Sequence, residues 1–186
     1  MKIYNNAPVS FWFFILCLVA TLPAQVLGEG WLSFFSVASS AQFNVSNPLN
    51  ILGLITHIFG HAGYGHLSSN MTLFLILSPL LEEKYGAKRL MFLFLLVALV
   101  TGGINVIFMS HGLLGASGVV FMLIMLSSLA GKDGKGIPLT LPLVALVFLS
   151  GEVLRSTQDN QVSEMAHLVG GGIGALVGWL WKKRLV

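Results

Sequence analysis

The sequence predicts an all-α membrane protein, one domain of six transmembrane helices with a short fourth helix that starts inside the bilayer. Three observations carry this. The 186 residues are 55% hydrophobic and 9% charged, against about 25% charged in a soluble domain, with a mean hydropathy of +0.86. Six apolar runs approach the roughly 20 residues that a membrane-spanning helix needs. Nine of the ten Lys and Arg residues fall on one side of the bilayer if those runs alternate.

Taken in order, the spans run from about Val9 to Leu27, Tyr64 to Leu81, Leu90 to Met109, Gly115 to Ala130, Ile137 to Leu154 and Ser163 to Trp181. "MKIYNNAPVSFWFF" opens the first, with a rival reading as a cleaved leader: a short basic start before an apolar run. The connection from Gly28 to Gly60 holds one charge, Glu29, beside Trp31, Phe34, Phe35 and Phe43. That composition places it in the membrane interface. "EEKYGAKR" closes the second span, "GKDGKG" the fourth, "RSTQDNQ" precedes the sixth and "KKR" ends it. Lys2, Lys84, Lys88, Arg89, Lys132, Lys135, Lys182, Lys183 and Arg184 share one side and Arg155 the other. The positive-inside rule then puts both termini in the cytoplasm. It also accounts for the basic pI near 9.2 by contact with anionic lipid, and nucleic acid is not an expected partner. The lone Cys17 excludes an internal disulfide.

Polar groups at membrane depth are costly and mark function. Here His57, His61, His66, Asn70, His111, Ser117, Glu152 and His167 converge on the outer half. His66 and Asn70 stand at i, i+4, on one face of a helix. So do His57 and His61, but Ile58 stands where a zinc protease motif needs Glu. Neither a metal nor a haem is expected, and these two histidines read as hydrogen-bonding the loop before the second span.

The fourth span, 16 residues or about 24 Å at 1.5 Å per residue, is shorter than the roughly 30 Å hydrocarbon core. Ser117 then lies below the outer surface, in the first turn, beside free backbone N–H groups. Gly115 and Gly118 flank it and permit close backbone approach. In "AHLVGGGIGALVG" a stripe of His167, Gly170 or Gly171, Gly174 and Gly178 makes two overlapping GxxxG steps, a pattern of tight helix contact. If the fourth span packs there, His167 faces Ser117 as a base faces a nucleophile. Glu152 and Glu164 read as solvated helix-end charges, and Thr101, Gly102 and Gly103 as packing residues.

Together "HIFGHAGYGHLSSN", "GASG" and "AHLVG" resemble the rhomboid intramembrane serine proteases, and the resemblance runs from the first span to the sixth. Glu82 and Gly86, in the loop after the second span, resemble a family feature as well. The resemblance implies a rhomboid-like bundle with Ser117 as nucleophile and His167 as general base. His66 and Asn70 would form the oxyanion hole with the Ser117 N–H. Substrates would be single-pass or other transmembrane proteins, cut near the outer face after entering between spans two and five. The chain departs in lacking a Trp-Arg pair between Gly28 and Gly60, and in having "SEM" before Ala166. Two alternatives stay open: a non-catalytic binder or chaperone of membrane helices, and a specialised enzyme trimming C-terminal anchors. The location expected is a bacterial inner membrane.

Overall fold

The computed structural model describes residues 5–129, 139, 143, 146 and 164–182. Every regular element among them is helical. In chain order they are α1 (Pro8–Thr21), α2 (Ala24–Leu27), α3 (Glu29–Leu32), a 3₁₀ turn (Ser33–Phe35), α4 (Pro48–Thr56), α5 (Tyr64–Tyr85), α6 (Ala87–Phe108), α7 (Ser117–Leu129) and α8 (Glu164–Lys182). The fifth predicted span, with Glu152 and Arg155, lies outside the described residues, apart from the exposed Leu139, Leu143 and Leu146.

Each helix buries the stripe its sequence offers. In α1 that stripe is Ser10, Phe13, Cys17, Ala20 and Thr21, and in α5 it runs from Leu67 to Tyr85 at i, i+3, i+4 spacing. The opposite faces stay apolar and exposed, as Trp12, Leu16, Ile76, Leu80, Phe92 and Leu99 do. A soluble protein cannot afford that outer surface, and lipid is the solvent it fits. Residues Pro8–Leu27 and Ala87–Phe108 are each long and apolar enough to cross a membrane. Within the first, the chain turns at Leu22 and Pro23 before α2.

α7 has only 13 residues, about 20 Å at 1.5 Å rise. Residues Gly118 through Ile124, and Leu126, are buried, so it is enclosed nearly all round. α5, α6 and α8 pack against it, and among the described helices the α7–α8 pair meets most extensively. The core cluster gathers Phe13, Phe74, Phe94, Val97, Val119 and Met122 between these helices, with Phe13 stacked on Phe74 at a centroid distance of 4.5 Å.

Glu82 does not lie in a loop, as its charge and position led us to expect. It sits inside α5, 3% exposed. One carboxylate oxygen accepts from the Val9 N–H at 2.9 Å, the other from the Ser10 N–H and hydroxyl at 2.7 Å each. Ser78 then donates to the Ser10 oxygen, at 2.7 Å. Pro8 and Ala7 give α1 no side-chain cap, and a carboxylate reaching across from α5 supplies one, favoured by the helix dipole. Gly86, with φ +89, forms the one-residue joint to α6.

Candidate active site

The segment before Ser117 is held from three sides. Leu113 exchanges both backbone hydrogen bonds with Val37, at 2.8 and 3.0 Å. Asn105, buried near the end of α6, donates its amide to the carbonyls of Ala38 and His111 at 3.2 and 3.1 Å. The Gly115 N–H donates to the His57 carbonyl at 2.8 Å, and the Ala116 N–H to His61 Nε2 at 3.4 Å. Gly115 has φ +126, a conformation L side chains rarely adopt, and a Cβ there would stand 2.9 Å from His66 Cε1. Only glycine lets the His66 ring lie on this turn.

His57 and His61 are buried beside this turn. His57 Nδ1 donates to the Gly53 carbonyl at 3.0 Å, and Nε2 lies 3.2 Å from Thr101 Oγ1. His61 accepts at Nε2, so its proton sits on Nδ1, facing the Phe59 carbonyl at 3.1 Å. Burial pushes the pKa of His57 down to about 4. Burial, with the nearby His66, pushes that of His61 down to about 3. Both therefore stay neutral. The His61 and His66 rings meet edge to face, 5.0 Å between centroids. Asn70 lies one turn below His66, buried, and donates one amide hydrogen to the His66 carbonyl at 2.9 Å.

Ser117 begins α7 and is half-buried. The glycine stripe of α8 lies on this helix. A Cβ on Gly170 would collide with the Gly118 carbonyl, and one on Gly174 with that of Met122. Gly170 therefore faces α7, whereas Gly171 meets only side chains, Met125 and Phe121, at 3.6 Å. That resolves the pair that spacing left open. Gly178 meets Leu129. One turn earlier, a Cβ on Gly118 would lie 3.1 Å from the Ala166 carbonyl. The residues "SEM" thus do not keep the start of α8 away from α7. His167 is 3% exposed, and its ring stacks on Phe121 at 4.7 Å and 12°. Phe121 is one turn below Ser117 on the same helix, so His167 abuts the first turn of α7.

Among the described residues no three His, Cys, Asp or Glu side chains gather as a metal site would require. Glu164 is exposed in the first turn of α8, and His111 is exposed too. Thr101 and Gly102 pack against the loop, whereas Gly103 faces open space. Sequence reasoning missed Asn105 and the Val37–Leu113 bridge. The first could have been flagged as an amide inside an apolar span. The second leaves no local signal.

The described residues thus form a helical bundle around a short enclosed helix, with a serine at the head of that helix and a histidine against its first turn. Residues 48–184 match the rhomboid domain, and the chain belongs to the rhomboid family. It is therefore an integral membrane protein. It is similar to the rhomboid protease GlpG of Serratia proteamaculans (strain 568), 26% identical over 180 residues, covering 95% of this chain and 63% of that protein. It is also similar to the rhomboid protease GlpG of Yersinia enterocolitica, 24% identical over 184 residues with the same coverage. The chain thus spans less than two thirds of the length of these bacterial relatives.

Proposed function

We propose that the chain is an intramembrane serine endopeptidase that cuts transmembrane segments of other membrane proteins with a Ser117–His167 dyad. The observation that carries this reading is the α7–α8 crossing at Gly118 and Gly170, with His167 stacked one turn below Ser117. The names of the two relatives point the same way. In this reading the domain spans residues 1–186 and crosses the membrane six times, with α7 as the fourth crossing. Both termini are cytoplasmic and the site opens to the outer face, as the distribution of Lys and Arg favours.

His167 takes the proton of Ser117 while the hydroxyl oxygen attacks the scissile carbonyl. The resulting oxyanion accepts from the Ser117 N–H, from His66 and from the amide hydrogen that Asn70 does not commit to His66. His167 then protonates the leaving amine, and water hydrolyses the acyl-enzyme. Packing supports a dyad without a third carboxylate, because Phe121 and the glycine crossing already fix the imidazole plane.

The test is labelling by a fluorescent fluorophosphonate of the purified protein, Ser117→Ala and His167→Ala, together with cleavage of a single-span test substrate. Labelling and cleavage by the parent alone support the dyad. A folded parent that neither labels nor cleaves would instead favour a binder of membrane helices.

A further inference from the structure

Beside the site lie two adjoining hollows, of about 760 and about 520 Å³. Ser33, Ser36, Ala62 and Leu114 line both, so they form one trough. One end is at His66 and Gly112, next to the turn that leads into Ser117. The other lies between Gln25, Glu29 and Leu32. The Val37–Leu113 bridge ties its floor to the segment before Ser117.

The trough differs in chemistry from the lipid-facing surface. Its polar walls are hydroxyls and amides: Ser33, Ser36, Gln42, Asn47, Asn50 and Gln25. Among the described residues, His66 at one end and the exposed Glu29 at the other are its ionisable side chains. No Lys or Arg among the described residues lines it. The serine hydroxyl hydrogens and the side-chain oxygens of Gln42, Asn47 and Asn50 are engaged within the loop. The amide NH2 groups and serine oxygens suit an extended backbone, whose N–H and C=O groups need partners once a helix has unwound. A charged stretch would find few partners there, except near Glu29.

We propose that this trough seats the extended segment of a substrate that leads from the cut to water, and that Glu29 favours a basic residue at its far end. This rests on the protease reading above. The Glu29 contact is an exposed ion pair, of the kind worth about 0.2–1 kcal/mol. That converts to roughly a 1.4- to fivefold preference, shrinking with salt.

The experiment uses the full chain in proteoliposomes and a set of single-span substrates with the N-terminus outside. One flanking residue is scanned outward from the cut as Lys, Gln or Glu. Within each enzyme, rates are taken relative to its own rate on the all-neutral flank. At one register, the parent is expected to cut the Lys substrate up to about fivefold faster than the Glu substrate in low salt. Glu29→Gln removes the preference and Glu29→Lys reverses it. An unchanged preference in Glu29→Lys overturns the proposal. So does the absence of any preference at every register while the parent cuts the neutral substrate. Failure of the parent to cut the neutral substrate is a different result: the protease reading falls, and this inference falls with it.

Discussion

Replacing Gly170 with Ala tests the geometry on which the site depends. The added Cβ would stand 2.7 Å from the Gly118 carbonyl carbon and 3.0 Å from its Cα, and closer still to the oxygen. Carbon atoms rest at about 3.5–4.0 Å, so the helices must part by about 1 Å. Backbone lies on both sides of the contact, and no side chain can swing away. Overpacking of this kind costs about 1–3 kcal/mol, and a misplacement of about 1 Å at a reacting pair costs about 100-fold in rate. Gly170→Ala is therefore expected to lower turnover of a single-span substrate about 100-fold, with a lower unfolding midpoint in detergent. Gly171→Ala, with its nearest neighbours at 3.6 Å, should stay within a few-fold of the parent. Gly172→Ala meets nothing within 4 Å and should be stabilised by up to about 1 kcal/mol from helix propensity. Equal rates for Gly170→Ala and Gly171→Ala would refute the reasoning, because only the first touches α7 backbone.

Three further outcomes are expected. Asn70→Ala should lose about 100- to 1000-fold in turnover, the usual cost of one oxyanion donor, while Ser117→Ala loses all labelling and cleavage; equal loss in both folded proteins would contradict the division of roles. Glu82→Gln leaves at least one buried donor at the start of α1 without its acceptor and should lower stability by about 1–3 kcal/mol, read as the thermal unfolding midpoint; an unchanged midpoint would show that the carboxylate is dispensable. His57 and His61, in the connection between α1 and α5, have folded pKa values below the ordinary 6.5. The unfolded chain then binds more protons, so stability should fall as pH drops from about 6.5 toward 5, above the carboxylate range. A flat profile in that window would mean that neither ring is buried in its neutral form.

The helices among the described residues were legible because lipid demands long apolar runs and punctuates them with charge. α5, α6 and α8 begin and end within four residues of the bounds read from sequence. For the candidate site, the shared faces of His66 with Asn70 and of His167 with the glycine stripe were legible as spacings, because helical periodicity turns separation into a shared face. Two kinds of feature were not. Which of Gly170 and Gly171 meets α7 depends on a rotation of about 100° per residue, finer than a triple-glycine run can signal. The buried Glu82 looked like a loop charge because its partners are backbone groups 72 and 73 residues away. The same holds for the Val37–Leu113 bridge, where two irregular segments meet with no periodicity to announce it.

The clasp at Glu82 also has a meaning in time. Chains are made from the N-terminus, so α1 exists long before residue 82 does. Until then the first N–H groups of α1 have no acceptor from the rest of the bundle. Capture by the end of α5 then ties α1 to α5 across 72 and 73 residues of chain. A nascent chain stopped short of Glu82 has a first helix without its latch, and one extended beyond it can fasten the helix before α7 is threaded into the middle. The carboxylate thus joins two helices that are synthesised more than 70 residues apart.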